Sequence, residues 1–122
     1  PPVPVEERVE EAARAERALE RAAEQVGRLA TSLRDQGRDA EADIVDTGAL
    51  MALDPGLKAA VAASIMDRGL AAGRALTEAA GEYADAIAAV DDPTLAARAD
   101  DVRSVGRRAA RLAAGIRQPV LP

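Results

Sequence analysis

Apolar side chains recur along the chain at alternating spacings of three and four residues, which is the period of an α-helix that buries one face. In the first third of the chain the positions that follow this period are Ala12, Ala15, Leu19, Ala22, Val26, Leu29 and Leu33. Glu and Arg occupy the opposite face, and Glu10 and Glu24 each precede an Arg by four residues. The pattern predicts a long first helix that ends near Gly37, a residue suited to a left-handed C-terminal cap.

An Asp-Pro step separates the next two helices. The second helix is predicted from about Asp39 to Leu53. Asp54 then has the position of an N-cap, and Pro55 has the first position of a short third helix, where its missing N–H costs nothing. This third helix is expected to end near the sequence "DRG", because glycine commonly terminates helices.

The fourth and fifth helices each show one apolar face. The fourth is predicted over about 71–90. The sequence "VDDPTL" repeats the arrangement of an Asp N-cap and a Pro at the first helical position before the fifth helix. The positions expected to face inward are Leu76, Ala80, Tyr83, Ile87 and Val90 in the fourth helix, and Leu95, Ala99, Val102, Ala109, Leu112 and Ile116 in the fifth. No alternating run of β-branched residues appears, so no sheet is expected.

Together these features predict an all-α fold, an antiparallel helical bundle of two helical hairpins with four long helices and one short extra helix. A chain of 122 residues has the length of one domain, so residues 1–122 are expected to form a single α-helical domain. The proline-rich ends at 1–4 and 119–122 are expected to be connectors, because proline cannot continue a helix. An even number of long helices, each running the length of the bundle, would bring both chain termini to the same end of the bundle.

The second helix carries two apolar stripes where a surface helix needs one. The first stripe consists of Ala42, Val45, Ala49 and either Ala52 or Leu53, and the second of Ile44, Thr47, Leu50 and Met51. The additional stripe is either part of the core or a surface that meets another molecule. The acidic residues that flank it are Asp39, Glu41, Asp43, Asp46 and Asp54. An apolar surface rimmed by carboxylates is suited to a partner whose own apolar patch is rimmed by Lys or Arg.

Composition excludes several classes of chemistry. The chain has no His and no Cys, which removes the commonest general base, disulfides and the usual zinc ligands. Any chemistry in this chain would therefore fall to carboxylates, Arg, Ser, Thr or Tyr83, and no catalytic residue, metal site or cofactor is assigned to it. Residues 1–56 carry 13 acidic and 7 basic side chains, an imbalance that favours a basic protein partner over nucleic acid. No apolar run approaches the roughly 18 residues that span a bilayer, so no membrane partner is expected, and the cytoplasm is the expected compartment.

Two segments of the chain resemble a known family. The segment "ADIVDTGALMALDPGL", which begins at Ala42, and the segment "AVDDPTLAARADDVRSVGRRAARLAAG", which begins at Ala89, are similar in order and spacing to the α-helical subdomain of enzyme I. Enzyme I is the phosphoenolpyruvate-protein phosphotransferase of the bacterial sugar phosphotransferase system. The similarity covers about residues 5–117 and rests on the Asp-Pro step and on the Asp-Val-Arg-x-x-Gly run.

The resemblance implies a docking function rather than a catalytic one. Enzyme I takes a phosphoryl group from phosphoenolpyruvate onto a histidine of an adjacent α/β subdomain and passes it to the small carrier HPr, which binds the helical subdomain. This chain would then be inactive alone, and its proline-rich ends would lead to an α/β subdomain outside this sequence. Mg²⁺ would be needed only by the phosphoenolpyruvate-binding domain of the parent protein, which would be a homodimer through another domain.

Carried over by position, the resemblance implies an HPr-binding surface on the second and third helices with help from the fourth. Its residues are Asp39, Asp43, Ile44, Thr47, Leu50, Met51, Asp54 and Leu57, with Tyr83, Ile87 and Arg98 nearby. The sequence departs from the family pattern in three places, because Val45 replaces a Phe, Gly48 replaces a His, and Pro55-Gly56 replaces an acidic pair. Both a housekeeping enzyme I and a relative that serves another HPr-like carrier, as in dihydroxyacetone-kinase systems, remain open.

A second interpretation is a non-catalytic helical adaptor that self-associates through the same apolar surface. Dilution separates the two, because an obligate oligomer stays associated at low concentration. The charged residues of the last helix, including Asp100, Asp101 and Arg103, are interpreted as a solvated face with charges paired at spacings of three and four. Tyr83 is expected at the edge of the core with its hydroxyl in water.

Overall fold

The structure is a computed structural model that describes residues 1–117. Its elements are a 3₁₀ turn at Val5–Glu7 and the helices α1 (Arg8–Asp35), α2 (Asp39–Met51), α3 (Pro55–Arg68), α4 (Ala72–Ala88) and α5 (Pro93–Arg117). The described residues contain no strand, which confirms the predicted all-α class. The connector role predicted for 119–122 and the inward orientation predicted for Ile116 lie outside what the structure describes.

The predicted helix boundaries are confirmed at the residues with special backbone chemistry. Gly37 (φ 77°) and Gly69 (φ 70°) adopt the left-handed conformation that ends α1 and α3. Asp54 caps α3, since its Oδ2 accepts a hydrogen bond from the backbone N–H of Leu57 at 3.0 Å. Asp92 caps α5 in the same way, with Oδ1 2.8 Å from the N–H of Thr94.

The two consecutive helices α2 and α3 together run back along α1. In the first third of α1, Glu16 lies 3.6 Å from the ammonium group of Lys58, and at the start of α1 Arg8 donates to the carbonyl of Met66 at 3.0 Å. The N–H of Val3 bonds the carbonyl of Gly69 at 2.7 Å, which ties the N-terminal residues to the end of α3. Helices α4 and α5 form the second hairpin, so α1 and α2–α3 make one antiparallel layer and α4 and α5 the other.

Alanine dominates the core, and the helices approach closely as a result. The largest fully buried side chains are Leu19, Leu57, Ile65, Leu76 and Val102. At the α4–α5 contact, a Cβ added to Gly106 would lie 3.0 Å from the carbonyl oxygen of Leu76 and would collide with Ala80. A glycine is required there because the two backbones nearly touch.

A cap supplied from outside the helix starts α4. Ala71 precedes α4 and has no side chain that accepts a hydrogen bond, so the N–H of Ala72 bonds Oε2 of Glu11 at 2.7 Å. Glu11 also pairs with Arg14 one turn later in α1, and both side chains are largely buried. This contact links α1 to the start of the second hairpin.

Two inward-facing predictions are wrong. Leu29 is half exposed, and Ala30 takes the buried position beside it. Val90 is also exposed, because α4 ends at Ala88 and the helical period does not reach it. Leu29 is exposed because the covered face of α1 lies at Ala30, whereas Val90 lies beyond the end of α4.

Among the described residues, Asp39–Arg68 is the one segment long and apolar enough, on length and composition alone, to cross a membrane. The segment is not one helix, because the chain breaks between α2 and α3 at Ala52–Asp54. Helices of 13 and 14 residues are each shorter than the roughly 20 residues that a bilayer requires.

Candidate functional site

The outer face of α2, defined by Asp43, Ile44, Thr47, Leu50 and Met51, carries large apolar side chains that the bundle does not cover. Ile44 is 70% exposed and Leu50 is 66% exposed, whereas Thr47 and Met51 are partly buried. A contiguous group of exposed apolar side chains, unlike a single one, marks a candidate surface for contact with another molecule.

The inner face of α2 explains why its outer face stays free. Ala42, Gly48 and Ala49 are buried and small, so α2 lies close against α1 and α5 through its inner face alone. The two-stripe prediction is confirmed for these positions, and Ala52 rather than Leu53 completes the inner stripe, because Ala52 is buried and Leu53 is exposed.

Carboxylates surround the outer face, and arginines hold several of them in place. Arg34 at the end of α1 contacts Asp43 Oδ1 at 2.8 Å and Asp46 Oδ2 at 2.6 Å. The hydrogen bonds to Asp46 and then to Asp43 raise the pKa of Arg34 above its ordinary value. Arg38 pairs with Glu41 through Nε at 2.9 Å, and this hydrogen bond lowers the pKa of the Glu41 carboxyl.

The rim remains acidic after this pairing. Its charged residues are Asp39, Glu41, Asp43, Asp46 and Asp54, together with Arg34 and Arg38. Five negative and two positive charges leave a net charge of −3 around the outer face of α2. Such a field attracts a partner with a basic surface and raises its rate of association, an effect that salt weakens.

A hydrogen-bond network holds the break between α2 and α3. Asp54 Oδ2 accepts from the N–H of Leu57 and, at 2.6 Å, from the hydroxyl of Tyr83 on α4. The bond to Asp54, and secondarily burial, raises the pKa of the Tyr83 hydroxyl above its ordinary value. Gly56 makes room for the ring, because a Cβ at this position would collide with Tyr83.

Two expectations for this region are corrected. Leu57 was predicted on the docking surface, but it is 0% exposed and belongs to the core. Its side chain starts the inner stripe of α3, which continues through Val61 and Ile65. The hydroxyl of Tyr83 was expected in water, but it bonds Asp54 instead, because the ring lies over the start of α3.

The remaining residues of the predicted surface lie at its margins. Asp39 at the start of α2 is exposed. Ile87 on α4 is partly buried and packs against the core, so it offers little area to a partner. Arg98 on α5 is partly exposed, and its Nη1 lies 3.7 Å from Oδ2 of Asp101.

Two depressions flank α2. One, of about 210 Å³, lies between α1, α2 and α5, and exposed Leu29 and Ile44 line it together with Asp101. The other, of about 350 Å³, is an open depression between α1 and α2 whose lining includes Leu50 and Leu53. The apolar surface of α2 therefore continues to both sides of the helix.

The sequence pattern predicts no place beside α2 for Leu53, Leu29 or Asp101, and it assigns Asp101 only to a solvated face of the last helix. Leu53 lies in the turn after Met51, where the helical period no longer applies. Leu29 and Asp101 come from α1 and α5, and no signal within α2 predicts that they line a cleft with Ile44.

The outer face of α2 has the features of a binding surface, with apolar side chains at its centre and charged side chains at its rim. Among residues 1–117, no group of three or more Asp or Glu side chains is arranged to hold a metal ion. The polar groups of the outer face are carboxylates and the Thr47 hydroxyl, which bonds the carbonyl of Asp43 at 3.0 Å. Exposed apolar side chains inside an acidic rim bind a complementary surface.

Comparisons with known proteins agree with this architecture. The family model described as PEP-utilising enzyme, N-terminal, matches residues 1–98. A solution NMR structure of the protein Enzyme I (nEIt) is similar over 94% of this chain, with a TM-score of 0.84 and 24% sequence identity. This chain covers 46% of that structure, which is about half its length. No curated protein matches the chain by sequence.

Proposed function

Because the chain belongs to the family described as PEP-utilising enzyme, N-terminal, we propose that it is the helical subdomain of an enzyme I and binds an HPr-like phosphocarrier on the outer face of α2. The observation that carries the proposal is the exposure of Ile44 and Leu50 inside a rim of carboxylates. Family membership supports the class proposed for the parent protein, and the exposed apolar surface supports the kind of partner proposed for it.

The apolar side chains are the proposed source of affinity. Apolar groups at the centre of an interface usually dominate its binding energy, and polar groups at the rim contribute more to specificity and association rate. Leu50 is the best-placed anchor, since it lies on α2 beside the depression that Leu53 also lines. Asp43 and Asp46 belong to the rim, where Arg34 fixes their orientation.

The proposed role in phosphoryl transfer is positional. Transfer of a phosphoryl group between two histidines requires the donor and the acceptor to be held in line, and a docking domain supplies that orientation without reacting itself. In this proposal, a histidine of a neighbouring α/β subdomain donates the phosphoryl group to a histidine of the docked carrier. The parent would be a cytoplasmic phosphotransferase, with Mg²⁺ bound in its phosphoenolpyruvate-binding domain.

Isothermal titration calorimetry with HPr from the same organism tests the proposal. The informative variant is Leu50→Ser, and its matched control is Val9→Ser. Val9 is an apolar residue with similar exposure, 69%, and it lies at the start of α1, away from α2. Leu50→Ser is expected to weaken binding by about tenfold or more, whereas Val9→Ser is expected to change it by less than about twofold.

Two results would count against the proposal. Wild-type protein that gives no binding heat at millimolar HPr would exclude a carrier-docking function. A dimer that persists at micromolar concentration and dissociates in Leu50→Ser would instead favour the self-associating adaptor, and sedimentation velocity measures this directly.

A further inference from the structure

The cleft of about 210 Å³ between α1, α2 and α5 holds a carboxylate among apolar side chains. Leu29 and Ile44 contribute apolar walls, and Asp101 of α5 contributes the carboxylate. Gly48 keeps the space open, because a Cβ at this position would lie 3.5 Å from Asp101 Oδ1 and a longer side chain would enter the cleft. Arg108 of α5 also lines the cleft, and its Nη1 donates to Oε1 of Gln25 on α1 at 3.2 Å. The cleft therefore presents the Asp101 carboxylate, together with a guanidinium group that Gln25 holds, at the edge of the apolar surface of α2.

Within the described part of the chain, Asp101 forms one long ion pair, in which its Oδ2 lies 3.7 Å from Nη1 of Arg98. Its side chain is 30% exposed, and neither oxygen accepts a hydrogen bond from the backbone of residues 1–117 or from the side chains of residues 1–115. Neighbouring Asp100 differs, because its side chain is 82% exposed and accepts from Arg103 Nη1 at 3.2 Å. A carboxylate that has lost part of its hydration without gaining a donor is a favourable contact for a cation that can reach it.

The geometry favours an ammonium group over a guanidinium group. Oδ2 of Asp101 faces Arg98, and Oδ1 faces Gly48 and the cleft. One available oxygen suits a compact point charge, whereas a guanidinium group binds best when it can contact both oxygens of a carboxylate. The apolar walls suit the methylene stem of a lysine side chain, which commonly packs along apolar surface.

We propose that this cleft takes a lysine side chain of the protein that docks on α2, with its ammonium group on Asp101 and its stem against Leu29 and Ile44. The inference rests on the proposed function, because Ile44 belongs both to the cleft and to the outer face of α2. Asp101 is then a specificity residue contributed by α5. It selects carriers that place a lysine beside their apolar patch.

A small-molecule titration tests the cleft without any partner protein. The probe is n-butylammonium chloride, which reproduces the end of a lysine side chain, and 1-butanol at the same concentration is the uncharged control. The readouts are the amide shift of Gly48 and the methyl shifts of Leu29 and Ile44. Butylammonium is expected to shift these signals in a saturable way, with affinity reduced about fivefold or more in Asp101→Asn, whereas Asp100→Asn is expected to respond like wild type.

Filling the cleft provides a second variant that keeps the charge. Gly48→Ala places a methyl group in ordinary contact with Asp101 and replaces a helix-interior glycine, so the fold should be at least as stable as wild type. It is nevertheless expected to weaken butylammonium binding. Equal binding by wild type and Asp101→Asn, or equal shifts with butanol, would overturn the proposal.

Titration with HPr separates this proposal from the proposed function. Asp101→Asn is expected to weaken HPr binding by about fivefold to tenfold, and Asp100→Asn, which removes the same charge one residue away, by less than about twofold. HPr that binds wild type and Asp101→Asn equally would overturn the lysine contact while leaving docking on α2 intact. HPr that does not bind wild type would overturn both the proposed function and the lysine contact.

Discussion

The hydroxyl of Tyr83 donates to Oδ2 of Asp54, the same oxygen that caps the first turn of α3. One carboxylate thus fixes the start of α3 and joins it to α4. The turn at Ala52–Asp54 joins this junction to the outer face of α2, whose position also rests on the packing of its inner face against α1 and α5.

Removal of the Tyr83 hydroxyl should loosen this junction. Tyr83→Phe is expected to lower the free energy of unfolding by about 1–2 kcal/mol, because Asp54 loses a donor in a partly buried site. Urea denaturation measures the change. Because the pKa of Tyr83 is raised in the folded state, its stabilising effect is complete below the ordinary pKa of 10.0 and is lost as pH rises above that value. Wild type should therefore lose more stability than Tyr83→Phe at strongly alkaline pH, and identical pH profiles would contradict this account.

Gly56 should tolerate no side chain while Tyr83 keeps its place. Gly56→Ala is expected to destabilise the protein by about 2 kcal/mol, because the new methyl group collides with the Tyr83 ring. Gly81→Ala is the control, since nothing lies within 4 Å of an added Cβ at this helical position. It should leave stability unchanged or raise it by about 0.5–1 kcal/mol. Thermal denaturation of the two variants compares them, and equal melting temperatures would refute the close approach.

Glu11 should matter far more than its neighbour Glu10. Glu11→Ala removes the cap from Ala72 and leaves Arg14 without its carboxylate in a largely buried site, so it should cost about 2–3 kcal/mol. The side chain of Glu10 is 82% exposed and contacts Arg17 only at 3.4 Å. Glu10→Ala should therefore change stability by less than about 0.5 kcal/mol. Chemical denaturation gives both values, and similar losses would show that α4 does not depend on the Glu11 cap.

Asp101 should reduce stability at neutral pH. Burial raises its pKa in the folded protein, as does nearby Asp100, while Arg98 partly opposes the shift. A raised carboxyl pKa means that the folded state holds its proton more tightly, so stability falls as pH rises from the ordinary value of 3.8 through the folded pKa. Asp101→Asn is therefore expected to melt at a higher temperature than wild type at pH 7 and at the same temperature near pH 3. A variant that is less stable than wild type at pH 7 would contradict this.

The local chemistry of the sequence was sufficient to predict the helix ends. Gly37, Asp54-Pro55 and Asp92-Pro93 act through their own backbone and side-chain properties, and each boundary falls where these properties require it. The periodicity of α2 leaves open whether its second apolar stripe is core or surface. The structure exposes Ile44 and Leu50 of this stripe and partly buries Thr47 and Met51.

The sequence was insufficient where the neighbouring element decides exposure. Leu57 was assigned to the docking surface by resemblance, although its spacing of four from Val61 and of eight from Ile65 is the inner period of α3. Leu29 follows the period of α1, but the helix that would cover it approaches at Ala30 instead. Residues of α1, α2 and α5 together line the cleft around Asp101. The residue pattern of one helix does not show which helices distant in sequence it contacts.

The central claim is that the outer face of α2 is the surface that contacts a carrier. Methyl cross-saturation from unlabelled HPr to the labelled chain measures this most directly, because only methyl groups at the interface lose intensity. Intensity loss is expected at Ile44 and Leu50 and none at Val5 or Val9, which are equally exposed on the N-terminal segment. Saturation confined to Val5 and Val9, with Ile44 and Leu50 unaffected, would contradict it.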